Sequence, residues 1–173
     1  MASALMPIYG VTCVLLAVGG VFKVTAPRAA RESLALARVH VPASVVRALG
    51  ACEVVLGTAA AIAPRPLPAA LVAVAYGGFC AFGLRRLSAG ERRDCGCFGA
   101  AGEGVGTTHI LLTAIGCTTA SLAVVFHPPG LAWILGHSPL AAITAGVGIA
   151  AASFAVYAVF TLFPSAWRSY GAR

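Results

Sequence analysis

A chain of 173 residues in which 60% are hydrophobic and only 10% charged, with a mean hydropathy of +0.92, carries more apolar surface than a water-soluble domain of that size can bury. This excludes a soluble enzyme and predicts an all-α integral membrane protein. The formal net charge of +7 does not point to nucleic acid, because the basic residues lie in short segments between apolar runs, where they orient a membrane protein.

The first apolar run covers about residues 4–22. No Lys or Arg precedes it and Lys23 follows at once, the reverse of a secretory signal, so it is expected to stay as a mature helix. In the connection 23–42, Arg28, Arg31 and Arg38 share a helical face that Leu34 interrupts, a pattern compatible with an interfacial helix. The second run, 43–63, holds Cys52 and Glu53, the sole acidic residue inside a span. An intramembrane carboxyl is costly and by default functional; Glu53 is expected to be neutral and hydrogen-bonded or to face a polar cavity. Its candidate roles are proton acceptor for thiol chemistry, quinone contact, or helix-to-helix hydrogen bond.

A third run, 67–84, leads into the polar loop 85–106 with its Cys95-Gly96-Cys97 triplet, and a fourth occupies 107–126. The stretch "HPPGLAWILGH", bracketed by His127 and His137, precedes the fifth run at 139–163. Prolines 42, 64, 66, 68, 128, 129 and 139 sit at or near the proposed span ends, where a missing amide donor costs least. Small residues at Gly77, Gly78, Ala142, Ala145, Gly146 and Gly148 are expected to allow close helix packing. No repeat is visible and no room is left for a soluble domain, so residues 1–173 read as one membrane domain in contact with lipid.

With five spans, Lys23, Arg28, Arg31, Arg38, Arg47, Arg85, Arg86, Arg92, Arg93, Arg168 and Arg173 share one side and Arg65 alone marks the other. The positive-inside rule then places the N-terminus outside, and the C-terminus and the Cys95/Cys97 loop in the cytoplasm. His40 has no evident partner. Trp133 and Trp167 fit interface anchors.

Extended residues two apart have Cα atoms about 7 Å from each other, while a disulfide needs roughly 4.4–6.8 Å. Cys95 and Cys97 can therefore bond only if the chain bends at Gly96, and the small ring so formed is the labile, exchanging kind. Arg92 and Arg93 favour the thiolate and Asp94 partly opposes them. Three readings stay open: thiol-disulfide exchange, a soft-metal site using Cys95, Cys97 and His109, or two silent reduced thiols. Four further cysteines, Cys13, Cys52, Cys80 and Cys117, lie in spans. At about 1.5 Å per residue three of them, Cys13, Cys52 and Cys117, fall in one layer, as packing fillers or as a relay.

The strings "GGVFKVTAP" closing the first run, "RALGACEVVLGTAAAIAP" around Glu53 and "RRDCGCFG" after the third run resemble the MauE family of methylamine-utilisation membrane proteins, within the wider DoxX-like group. The resemblance spans about residues 4–126. It implies a four-helix core plus a C-terminal helix in the cytoplasmic membrane. It also implies a role in disulfide formation or electron delivery during maturation of exported redox enzymes, with a thioredoxin-like partner. Cys95 and Cys97 then inherit the redox role and Glu53 the buried acidic position. A metal binder or transporter and a non-catalytic anchor subunit are the alternatives.

Overall fold

The computed structural model describes residues 2–90 and 107–161. Those residues form seven helices, and among them there is no strand. They are α1 (Ala2–Thr25), α2 (Pro27–Leu36), α3 (Ala43–Ile62), α4 (Pro66–Ser88), α5 (Thr107–Phe126), α6 (Leu131–His137) and α7 (Pro139–Thr161). α1, α3, α4, α5 and α7 are long and apolar enough to cross a bilayer. Their outward faces carry Leu67, Val74, Leu140, Val147 and Phe154 in the open, a surface that suits lipid rather than water. The chain is a multi-pass membrane protein.

Local chemistry sets the breaks. Pro27 starts α2 in its first turn, where its missing amide hydrogen costs nothing, and it thereby stops α1. The α2 helix closes with Arg38 in the left-handed region at φ 61°. There the Arg38 amide donates to Ala35 O at 2.9 Å and the Val39 amide to Leu34 O at 2.9 Å. That is a Schellman ending with arginine where glycine is usual. The expected interfacial segment is thus a ten-residue helix, α2, followed by a sharp turn into α3.

Tyr9, Cys13 and Leu16 of α1, Ala60 of α3, Ala69, Val72 and Tyr76 of α4, and Ala120 and Ala123 of α5 form the buried core. Four helices surround that core. α7 lies against α1, with Phe22 stacked on Tyr157 at 5.9 Å between ring centroids and Ile149 covering Gly10. At one end of the bundle α2 joins α1 to α3, and the C-terminus of α4 reaches it through Arg86, whose Nη1 donates to Ser33 Oγ at 2.8 Å. At the other end Gly130, before α6, packs on Ile62 and Pro64.

Two sequence expectations change. Arg86, read as a loop charge, is 1% exposed, because α4 runs past residue 84 to Ser88. Of the small residues expected to pack, a Cβ added at Gly78, Gly146 or Gly148 would meet nothing within 4 Å. Ala142 is buried, but the helix backbones that approach each other directly are those of α1 and α3.

Candidate functional site

A β-carbon built on Gly20 would stand 2.5 Å from Gly50 O, one on Gly50 2.6 Å from Gly20 O, and one on Gly57 2.5 Å from Cys13 O. No larger residue fits these positions, so α1 and α3 touch backbone to backbone. Moving back along α1 from Gly20 to Cys13 corresponds to moving forward along α3 from Gly50 to Gly57, so the helices are antiparallel.

That pairing explains the site. Lys23 lies one turn beyond Gly20 towards the α2 end, and Glu53 one turn beyond Gly50 away from it, so their Cα atoms differ in depth by about 9 Å. Side chains lean towards the N-terminus of their own helix. On antiparallel helices Lys23 and Glu53 therefore lean towards each other. Lys23 Nζ donates to Glu53 Oε2 at 2.6 Å, with both side chains buried. The Lys23 stem passes over Gly50, whose added Cβ would come 2.8 Å from Lys23 Cβ. Glycine at position 50 thus admits both the helix approach and the lysine. Lys23 Nζ also stands 4.8 Å from the centre of the Phe79 ring on α4, a cation–π contact in a desolvated place.

Glu53 Oε1 is buried and has no hydrogen-bond partner among the described residues. Leaving a buried acceptor unpaired costs about 1–3 kcal/mol, more when it is charged. Glu53 lines a cavity of about 30 Å³ with Leu15, Lys23, Tyr76, Phe79, His109 and Thr113 among its other walls. Tyr76 is held rigid there, its hydroxyl donating to Thr12 O at 2.8 Å.

His109 enters from the first turn of α5, three residues after the segment 91–106 that contains Cys95 and Cys97. Those two cysteines lie outside the described residues, as do Arg92, Arg93 and Asp94. The described residues contain no cluster of three or more metal-ligating side chains. His109 shares its cavity with Lys23 and Glu53.

The four membrane cysteines are all unbridged and fall into different surroundings. Cys13 is fully buried in the core and Cys117 is packed against it, with Cys117 Sγ donating to Ala73 O at 3.5 Å. Cys80 is half-buried, and Cys52 is exposed. Consecutive helical residues do not share a face, so Cys52 looks outward while Glu53, its neighbour in sequence, looks in. His40, His127 and His137 are exposed.

The partner of Glu53 was the feature missed from sequence, where Lys23 counted only as an orienting charge. A signal was present: Gly-Val-Phe-Lys in the first run and Gly-Ala-Cys-Glu in the second put a glycine one turn before an opposite charge on two consecutive spans.

The family described as methylamine utilisation protein MauE matches residues 1–127, from the start of α1 to the residue after α5. Neither a curated protein nor a solved structure matches the chain. The family match takes in every residue lining the cavity and the Cys95-Gly96-Cys97 triplet, well over half of the chain, and the protein belongs to the MauE family.

Proposed function

We propose that the protein is a thiol-disulfide redox protein of the cytoplasmic membrane, exchanging disulfides through Cys95 and Cys97 with a thioredoxin-like partner that serves the maturation of redox enzymes. One observation carries this reading. α4 ends and α5 begins at the α2 end of the bundle, where Lys23, Glu53 and His109 gather in the cavity, and the two cysteines lie in the sequence between those helices.

In the exchange, the Cys95 thiolate attacks one sulfur of the partner's disulfide, forming a mixed disulfide and expelling the partner's other sulfur as thiolate. The Cys97 thiolate then attacks Cys95 Sγ, releasing the partner's remaining sulfur and leaving a Cys95–Cys97 disulfide. Two electrons pass to the partner, and the protons of the two thiols pass to its two thiolates. Run in reverse, the same steps oxidise a dithiol client. Cys95 is assigned the attack because it is nearer in sequence to Arg92 and Arg93, which favour a thiolate. The buried Lys23–Glu53 pair, with an acceptor to spare on Glu53, handles the protons of this chemistry. A cavity of about 30 Å³ has room for one or two waters and not for a quinone ring, so a quinone would have to bind elsewhere or displace side chains.

The charge asymmetry favours the N-terminus outside and the Cys95/Cys97 segment in the cytoplasm. A membrane-impermeant thiol reagent added to intact cells should then leave Cys97 unlabelled. Labelling from outside reverses the orientation.

Trapping tests the function. Cys97→Ser should accumulate a covalent mixed disulfide with a thioredoxin-like protein, Cys95→Ser should not, and replacing both should abolish it. If neither single variant traps a partner, and the reduced wild type instead binds a soft metal ion stoichiometrically, the redox reading fails and a metal site of Cys95, Cys97 and His109 replaces it.

A further inference from the structure

The cavity beside the ion pair has a property that holds whether or not Cys95 and Cys97 exchange disulfides. Glu53 is 4% exposed. Its Oε2 is taken by Lys23, and its Oε1 has no partner among the described residues. An acceptor buried this deeply, on the wall of a small and mostly apolar cavity, needs a donor. A water requires roughly 10–15 Å³ of such space and two to four polar neighbours, so about 30 Å³ takes one or two.

The neighbours are at hand. Thr113 is 4% exposed and spends its hydroxyl proton on Ile110 O at 2.9 Å, which leaves oxygen lone pairs to accept from a water. Lys23 supplies further donors, and His109 a ring nitrogen of either role. The ionisable groups facing this space are Lys23 from α1, Glu53 from α3, Tyr76 from α4 and His109 from α5. Tyr76 is already committed to Thr12 O. His109 is half-buried in the first turn of α5, and an imidazole can both accept and donate a proton.

We propose that this cavity is a hydrated proton-exchange site, in which one or two waters bonded to Glu53 Oε1 link the buried carboxyl to His109, and His109 passes protons between that carboxyl and the aqueous end of the bundle. Glu53 is thereby a carboxyl in the membrane with a route out, not a sealed structural pair. His109 acts here as a proton carrier and makes no metal or thiol bond in the process.

Infrared spectroscopy of the full chain in nanodiscs tests this without any assay of activity. The difference between wild type and Lys23→Met/Glu53→Gln isolates the bands of the buried pair, and stopped-flow transfer into D2O follows the isotope shift of its exchangeable protons, whichever of the two groups carries them. In wild type the bands should shift promptly. His109→Phe, which removes the carrier, and Thr113→Leu, which fills the cavity while leaving every ionisable group in place, should each slow the shift at least about tenfold. Bands in wild type that do not respond to D2O mean a dry, sealed cavity and overturn the proposal by themselves. So does a shift as fast as wild type in whichever of the two variants folds. Because mixed-disulfide trapping at Cys95 is measured separately, loss of one result does not carry the other with it.

Discussion

The α1–α3 seam and the α7 helix are built from similar residues and behave in opposite ways. α7 contains Gly146 and Gly148 among its alanines, yet a Cβ at either would meet nothing within 4 Å, and Ile143, Val147 and Phe154 stand open on its surface. Gly20, Gly50 and Gly57 have the backbone of the opposite helix against them, and one turn away the close approach lets Lys23 reach Glu53. Small residues in a membrane helix therefore mark packing only where a neighbouring helix stands against them, and backbones meet only where small residues face each other. Where they do, the helices come close enough to hold a buried charge pair out of lipid.

The largest effect should follow from breaking the seam. In Gly50→Leu the new side chain would collide with Gly20 O and with the Lys23 stem, for which the backbone leaves no space. The cost should be about 4 kcal/mol or more, seen as loss of folded protein in detergent unfolding. Removing one charge comes next. Lys23→Met leaves the Glu53 carboxylate buried and unpaired, at about 3–5 kcal/mol, and the double variant Lys23→Met/Glu53→Gln should recover most of that loss because neither charge remains. A single variant as stable as wild type would mean that the pair is not ionised.

Smaller effects sharpen the contrast. Tyr76→Phe keeps the ring against Gly116 and loses the bond to Thr12 O, about 0.5–1.5 kcal/mol in the same unfolding measurement. Gly148→Ala, on the open face of α7, should be neutral or stabilise by up to about 1 kcal/mol through better helix propensity. A marked destabilisation there would show that this open face of α7 has a packed partner.

Hydropathy alone made the five long helices legible, because a bilayer demands runs of apolar residues and prolines punctuate their ends. Glu53 stood out for the same reason: a carboxyl among alanines and valines is conspicuous. Lys23 was hidden because a lysine at a span end ordinarily reaches for the interface. Only the antiparallel pairing of α1 with α3, which composition does not encode, turns it inward. Arg86 was hidden similarly, since a basic residue after an apolar run reads as the start of a loop, whereas here α4 continues and Ser33 of α2 receives the guanidinium. The glycines of α7 misled because a stripe of small residues carries no information about what lies opposite.

The claim that matters most is that the buried pair serves the thiol chemistry rather than merely holding α1 to α3. Lys23→Met/Glu53→Gln separates the two, since it removes the exchangeable charges and keeps the seam neutral and packed. The measurement is the rate at which this variant, folded in nanodiscs, exchanges disulfides with a thioredoxin-like protein, compared with wild type. A fall of about tenfold or more with the Cys97→Ser trap still formed in the same background is the predicted result. An unchanged rate would contradict it and leave Lys23 and Glu53 as a structural clasp.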